Sequence, residues 1–184
     1  MFPLPGLSRR AAVARLAGGG VAAALAVQRL GMTAAQDATP TAEGVTVEVL
    51  GTGLPTAAPD RMLALARVTF APGFTLQAHT HPGALIGHFE AGAFGFRVLE
   101  GESARVVRAG GAGTPAAADP MAGEPVPPGT EVIFNPGDVL FHDEDVVAVD
   151  RNAGDEPVVF LASVLFTTGE PFLAFIAGTP EAGA

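Results

Sequence analysis

The chain has 184 residues, of which 48% are hydrophobic and 16% charged, and this balance predicts one packed domain rather than a disordered chain. Its formal net charge is −9, and every acidic residue lies beyond position 30, so the body of the chain is strongly acidic. An acidic surface repels phosphate backbones and anionic lipid heads, which argues against nucleic acid and membrane partners. The absence of Cys excludes a disulfide and a thiolate nucleophile, and the absence of Lys excludes a lysine Schiff base. The chain also has no Tyr.

Residues 1–35 have the pattern of a signal peptide. Basic residues come first, an apolar run covers residues 16–27, and small residues follow at 33–35. The run is too short to span a bilayer as a helix, which takes about 20 residues. Arg9 and Arg10 resemble the pair of the twin-arginine export motif. We therefore predict export followed by cleavage, with an uncleaved amphipathic helix as the alternative.

The rest of the chain has the pattern of short strands joined by turns. A polar Thr/Ala/Pro-rich leader at residues 36–44 is expected to be flexible. Alternating apolar segments separated by Gly- and Pro-rich turns every 8–12 residues are typical of a β-sandwich or barrel. The predicted strands cover residues 45–50, 62–70, 74–81, 85–90, 94–99, 104–108, 131–134, 139–142, 146–149 and 158–166.

These segments predict an all-β chain with one barrel domain over residues 45–178. A Gly/Ala/Pro-rich segment at residues 110–129 interrupts the strand pattern and predicts a mobile surface loop. Residues 100–102 and 143–145 are each expected to form the tip of a β-hairpin.

Two spaced motifs lie within the predicted barrel. The first consists of Gly73, His79, His81, Leu85 and Gly92, whose intervals are those of the first cupin motif.

The second motif has the intervals of the second cupin motif and consists of Gly137, Asp143, Asp145, Ala148 and Asn152. Over residues 45–170 the chain therefore resembles the cupin superfamily. This resemblance implies a double-stranded β-helix, or jelly-roll, barrel in which Asn152 fixes a turn.

The chain departs from the cupin pattern at two of the four metal-ligand positions. In the family, two His, one Glu and a third His normally hold a divalent metal. His79 and His81 match the first two positions, but Leu85 stands in place of the Glu and Ala148 in place of the third His. The resemblance therefore implies that the usual metal site is absent.

Strand periodicity suggests a third histidine near the first two. His79 and His81 are two residues apart, so both imidazoles point to the same face of a strand, inside the barrel. If residues 143–145 form a hairpin tip, His142 faces the same side as Ala148, displaced by about 7 Å. His79, His81 and His142 are then candidate ligands for a divalent transition metal.

The residues leave two functions open. The first is an exported cupin-domain protein that binds a small molecule in a pocket lined by Leu85, Phe141 and Ala148, with the histidines as a polar pocket that holds no metal. The alternative is a metal-dependent cupin enzyme, of the dioxygenase or isomerase type, that uses His79, His81 and His142.

Three further predictions concern the surface. His88 lies an odd number of residues from Leu85, so it is expected to face outwards. Asp150 is grouped with the acidic residues at 143–145 as a solvated hairpin tip rather than a calcium site. By analogy with cupins, the apolar ends at residues 45–50 and 172–176 suggest a homodimer that pairs through edge strands.

Overall fold

The computed structural model describes residues 41–110 and 123–176. Within these ranges the chain forms strands and turns, and it contains no helix that could cross a membrane. The predicted signal peptide at residues 1–35 lies outside the described residues. The strands are β1 (Thr41–Ala42), β2 (Val45–Gly53), β3 (Arg61–Phe70), β4 (Thr75–Thr80), β5 (Gly83–Ala91), β6 (Phe94–Glu100), β7 (Arg105–Val107), β8 (Glu124–Pro125), β9 (Glu131–Phe134), β10 (Val139–His142), β11 (Val147–Asn152), β12 (Val158–Thr167) and β13 (Ala174–Phe175).

The strands form two antiparallel sheets. One sheet has the order β1-β2-β3-β12-β5-β10-β7-β8, and the other has the order β13-β4-β11-β6-β9. From β3 to β6, and again from β9 to β12, the chain alternates between the two sheets, so that β3-β12-β5-β10 faces β4-β11-β6-β9. This arrangement is a double-sheet jelly roll. The predicted all-β jelly-roll barrel is therefore confirmed.

Aromatic side chains from both sheets fill the middle of the barrel. Phe89 on β5 packs against Phe94, Phe134 and Phe160, with ring centroids 4.8, 5.0 and 5.2 Å apart. Burial alternates along the strands, most regularly on β12, where every second residue from Val158 is buried. This alternation places one face of each strand in the core, as the period-two pattern of the sequence predicts.

The two predicted hairpin tips are wrong. β10 pairs with β5 and β7, whereas β11 pairs with β4 and β6, so residues 143–145 cross from one sheet to the other. Residues 100–102 do the same between β6 and β7. Short connections in a jelly roll pass over the open ends of the barrel, and local turn signals do not distinguish such a corner from a hairpin.

Parts of the predicted leader and loop belong to the sheet. Thr41 and Ala42 pair with the start of β2. β8 pairs with β7, and the N–H of Val126 donates to the carbonyl of Ala104 at 2.9 Å. The side chain of Val126 is 2% exposed. Within the predicted loop at residues 110–129, the segment from Gly123 onwards is therefore anchored to the barrel, while residues 111–122 lie outside the described ranges.

Asn152 holds the turn between β11 and β12. Its amide nitrogen donates to the carbonyl oxygens of Phe70 and Glu156 at 3.2 and 2.9 Å, and its amide oxygen accepts from the N–H of Gly154 at 2.9 Å. Two of these bonds hold the turn itself, and the bond to Phe70 connects it to the end of β3. The predicted role of this asparagine in fixing a turn is confirmed.

Replacing this side chain should destabilise the barrel. We expect Asn152→Ala to lower the free energy of unfolding by about 3 kcal/mol, because three hydrogen bonds are lost and the buried carbonyl of Phe70 loses a donor. Urea unfolding followed by far-UV circular dichroism measures the change in a protein without Trp or Tyr. Asn135→Ala, at an exposed turn position, is the control and should cost less than about 0.5 kcal/mol. Equal losses in both variants would contradict this role.

Candidate functional site

Four polar side chains are buried together at one end of the barrel. They belong to His79 on β4, His81 just beyond it, His142 at the end of β10, and Asp150 on β11. These residues are 2%, 7%, 4% and 8% exposed, respectively. Buried polar groups are rare and costly unless they are partnered, so this cluster is the candidate functional site.

The three imidazoles form a continuous row between the two sheets. The ring centroids of His79 and His81 are 5.1 Å apart, and those of His81 and His142 are 5.4 Å apart. The prediction that His142 joins the pair inside the barrel therefore agrees with the geometry. The predicted hairpin pairing between the strands of His142 and Ala148 is wrong, however. His142 pairs across its sheet with Leu85, and Ala148 pairs with His79 in the opposite sheet.

A backbone carbonyl fixes the orientation of each imidazole. The Nδ1 of His79 bonds the carbonyl of Gln77 at 2.9 Å, that of His81 bonds Phe172 at 2.8 Å, and that of His142 bonds Asp143 at 3.3 Å. A carbonyl only accepts, so Nδ1 carries the hydrogen in each ring. In the neutral ring, Nε2 then has a lone pair that accepts a hydrogen bond.

Burial keeps these imidazoles neutral. It lowers the pKa of His79, and it lowers the pKa of His81 to about 4, with His79 acting in the same direction. Burial also lowers the pKa of His142 to about 3, with a further contribution from His81. Desolvation disfavours the charged form of each ring. Two neighbouring imidazolium groups would also repel each other, which disfavours protonation further. At neutral pH the row is therefore uncharged.

Asp150 is an additional member of the site. Burial raises its pKa to about 8, so it is a neutral acid at pH 7. Its Oδ2 lies 3.5 Å from the Nε2 of His79, and its Oδ1 has no hydrogen-bond partner among the described residues. Because both groups are neutral, and 3.5 Å is too long for a good hydrogen bond, this contact is not an ion pair.

The predicted place of Asp150 at a solvated tip is wrong. It was grouped with the acidic residues at 143–145, which are exposed, whereas Asp150 faces the interior. The spacing indicates the inward orientation of Asp150, because Asp150 is two residues from Ala148 and therefore on the same face of β11. Because Asp150 is close in sequence to the acidic residues at 143–145, it was grouped with them instead.

Apolar side chains surround the polar row. Phe96 stacks on His142 with centroids 5.9 Å apart, and Phe172 meets His81 edge-on at 5.3 Å. Leu85 and Ala148, both predicted to line the pocket, are buried and face inwards as expected. The site is thus a set of hydrogen-bond acceptors between aromatic and aliphatic walls.

Phe141 does not line this pocket, contrary to the prediction. It is adjacent to His142 on β10, and successive side chains on a strand point to opposite faces. Phe141 is half-buried and pairs with Ile86, which is exposed on the outside of the sheet. His88 is also exposed, and the prediction that it faces outwards is confirmed.

The acidic corner at residues 143–145 has a structural explanation. Asp145 accepts hydrogen bonds from the hydroxyl of Ser103 and from the N–H of Glu102, and the N–H of Asp143 donates to Ser103. These bonds connect the β10–β11 corner to the β6–β7 corner. Backbone and side-chain hydrogen bonds to its carboxylate lower the pKa of Asp145, against the opposing effect of burial.

The buried cluster does not fit a resident metal ion. Leu85 and Ala148 offer no ligand atom at the two positions where the cupin pattern has Glu and His. Among residues 41–110 and 123–176, no group of three His, Cys, Asp or Glu side chains is arranged to hold a metal. Stable transition-metal sites usually need three or more protein ligands. The cluster therefore lacks the ligand set of a resident transition metal.

A shallow groove of about 310 Å³ lies elsewhere, between the start of β2 and the β11–β12 connection. Gly44, Thr46, Thr69, Pro72 and Pro157 are among its lining residues, and none of the lining residues is a histidine. Pro72 precedes β4, whereas His79 and His81 lie at the far end of that strand. The groove is therefore separate from the polar cluster, and only the cluster has the chemistry of a site.

The buried acid and imidazoles predict a maximum of stability near neutral pH in the metal-free protein. Asp150 retains its proton to about pH 8 when folded but loses it above about pH 3.8 when unfolded, so stability falls as the pH rises towards 8. Towards pH 5 the three histidines take up protons only when unfolded, and together they outweigh the opposing effect of Asp150, so stability also falls as the pH drops. We expect losses of roughly 1 kcal/mol from pH 7 to 9 and roughly 3 kcal/mol from pH 7 to 5.

The alkaline part of this profile is a specific test of Asp150. The chain has no Cys, Tyr or Lys that would titrate in that range. Asp150→Asn should abolish the fall above pH 7 in urea unfolding, because the amide has no proton to lose. Asp155→Asn, at an exposed turn position, should preserve it. A fall that persists in Asp150→Asn would show that another group is responsible.

No model of a known protein family matches the chain, and no curated protein matches it. A mutant of oxalate decarboxylase from Bacillus subtilis is 21% identical with a TM-score of 0.47, over 76% of this chain and 30% of that chain. An oxalate decarboxylase from Lactobacillus farciminis in complex with formate is 18% identical with a TM-score of 0.45, over 74% of this chain and 32% of that chain.

The chain thus spans less than a third of the length of these solved structures. Identities and TM-scores at this level carry no conclusion about activity. The strand order establishes the architecture: the described part of the chain is a double-sheet jelly-roll barrel, the architecture that cupins share.

Proposed function

We propose that this chain is an exported, cupin-type binding protein that takes up a small molecule at the polar end of its barrel, without the usual cupin metal site. The observation that carries the proposal is the row of neutral imidazoles of His79, His81 and His142. Their Nδ1 atoms bond backbone carbonyls, which leaves the Nε2 lone pairs to accept hydrogen bonds from a ligand.

The chemistry of the site indicates the class of ligand. Neutral imidazoles between Phe96 and Phe172 suit a molecule with an apolar body and one or two hydrogen-bond donors, such as hydroxyl groups. The neutral carboxyl of Asp150 adds one further donor or acceptor beside His79. A site of neutral groups favours recognition by hydrogen bonding and shape over recognition by charge.

Access to the site involves the C-terminal segment of the described chain. The carbonyl of Phe172 holds His81, and the Phe172 ring packs on both His81 and Phe166. β13 pairs with Thr80 and His79 and so lies along the edge of β4. Because the three histidines are almost completely buried, we infer that a ligand enters when this segment moves aside.

The exported location rests on the N-terminal sequence. Arg9 and Arg10, the apolar run at residues 16–27 and the small residues at 33–35 support cleavage by a signal peptidase after transport. The acidic body supports small-molecule rather than nucleic-acid binding.

Binding can be tested on protein recovered from its own host by non-denaturing mass spectrometry. We expect an organic molecule bound to the wild type, its loss in His142→Leu, and its retention in His88→Leu, the matched control on the outer surface. The loss follows because leucine has a similar volume but offers no acceptor. Circular dichroism checks that both variants fold. Wild-type protein that carries neither a ligand nor a metal would refute the proposal.

The metal content of the same protein sample tests the alternative of a metal-dependent enzyme. We expect less than about 0.1 metal ion per chain, because the cluster lacks three suitably placed ligands. Near-stoichiometric transition metal that disappears in a His79→Ala, His81→Ala double variant would replace the binding function with the enzymatic alternative.

Export makes a separate prediction. Changing Arg9 and Arg10 to Lys should retain the uncleaved precursor in the cytoplasm, because twin-arginine transport discriminates between these residues. Fractionation and N-terminal sequencing check this, with the wild type expected to begin at Gln36. Arg15→Lys is the control and should be exported normally. Export of the double variant would exclude the twin-arginine route.

A further inference from the structure

The outer surface of the eight-stranded sheet carries large apolar side chains in contact with water. Leu63 and Leu65 on β3 are 44% and 42% exposed, and Ile86 on β5 is 50% exposed. An exposed apolar residue by itself is ordinary, but a contiguous patch marks an interaction site.

Strand register makes this patch contiguous. In one cross-strand row Leu63 pairs with Leu165, and Leu165 pairs with Ala84. In the next row Leu65 pairs with Ser163, Ser163 with Ile86, and Ile86 with Phe141. Directly paired residues on one face have side chains in contact range. We call this two-row surface the apolar outer face.

The apolar outer face is open at its β2 side. Gly51 and Gly53 pair with Leu65 and Leu63, so β2 adds no side chain to either row. A Cβ atom at either glycine would have no heavy atom within 4 Å. The surface beside Leu63 and Leu65 therefore has no protruding side chain on β2. A flat surface of this kind allows another sheet to approach.

The charges beside the face are already paired. Arg67 on β3 lies 3.6 Å from both Glu48 on β2 and Glu90 on β5. For a protein of net charge −9, most surfaces would repel a second copy. Here one arginine offsets part of the charge of these two glutamates, which reduces the like-charge repulsion between two copies.

The five-stranded sheet differs on its outer surface. Gln77 on β4 is exposed, and Arg151 on β11 forms a bidentate pair with Glu131 on β9 at 2.6 and 2.7 Å. Polar and charged side chains of this kind are typical of a sheet face in contact with water. The two sheets therefore differ in the polarity of their outer surfaces.

The area of the apolar side is sufficient for a dimer. The sheet is five strands wide from β2 to β10, and β3 and β12 are each 10 residues long. At about 4.8 Å per strand and about 3.4 Å per residue, and with β10 only 4 residues long, this outer surface measures roughly 700 Å², with the apolar outer face at its centre. One partner in a standard protein–protein interface contributes about 800 Å².

We propose that the apolar outer face is a homodimer interface, on which two copies of this chain stack face to face about a two-fold axis. Ile86 and Leu65 lie near the centre of the contact, and the Arg67 ion pairs lie at its rim. This interface replaces the edge-strand pairing that the sequence suggested at residues 45–50 and 172–176. It does not depend on ligand binding inside the barrel.

Sedimentation equilibrium of the full protein recovered from its host tests this interface. We expect a dimer in the wild type and, in Ile86→Asp and Leu65→Asp, a dissociation constant raised by about 100-fold or more, because each places a charge at the centre of an apolar contact. Phe175→Asp is the matched control: Phe175 is 45% exposed but lies on the five-stranded sheet. It should remain dimeric.

Three outcomes would overturn the proposal. The first is a monomeric wild type at about 100 μM, well above typical dissociation constants for an interface of this size. The second is a dimer that dissociates in Phe175→Asp but not in Ile86→Asp, which would indicate edge pairing. The third is a monomer that binds vesicles of phosphatidylcholine and phosphatidylglycerol and loses this binding in Ile86→Asp, which would identify lipid as the occupant. Circular dichroism confirms that the exposed-site variants fold.

Discussion

Phenylalanine packing between the two sheets constrains the arrangement of everything else in the barrel. Phe89 and Phe160 come from the eight-stranded sheet, Phe94 and Phe134 from the five-stranded one, and their rings meet at the centre. Rings of this size fill most of the space between two sheets that pack about 10 Å apart. Among the described residues, the buried histidines and Asp150 therefore lie at the end of the barrel where β4 and β10 terminate, while Asn152 lies towards the opposite end.

Confinement in this apolar surrounding determines the protonation of the polar cluster. Asp150, His79, His81 and His142 form a series in which each group contacts the next, and burial holds all four in their neutral forms at pH 7. Backbone carbonyls satisfy one nitrogen of each ring and leave the other as an acceptor. The three histidines and Asp150 are residue types common in catalytic sites, but in their neutral forms they act as hydrogen-bonding groups. This supports a binding function.

The alternation of side chains also connects the interior to the outer surface. On β10, His142 points into the polar cluster while its neighbour Phe141 lies on the apolar outer face. The same strand therefore contributes to the proposed ligand site on one side and to the proposed dimer interface on the other. A shift of one residue in the register of β10 would exchange these two side chains, so both proposed functions depend on the pairing of β10 with β5.

Much of this architecture follows from local sequence pattern. Period-two alternation identified most strands to within a residue or two and placed His79 and His81 inside the barrel, while the resemblance to the cupin motifs placed Leu85 and Ala148 there. It also placed His88 outside, because alternation along one strand needs no knowledge of its partners. Motif spacing indicated the jelly roll before any strand order was known.

The tertiary structure decided which strands pair, and with them the composition of the site. A turn between two strands has similar residues whether it closes a hairpin or crosses between sheets, so residues 143–145 were misassigned. His142 consequently faces His81 from the opposite sheet to Ala148, and Asp150 is buried although its sequence neighbours are exposed acids. The sequence by itself determined the face of each strand, because that depends on adjacent residues. Burial of Asp150, neutrality of the histidines and exposure of the apolar outer face depend on contacts between distant strands, which only the folded chain brings together.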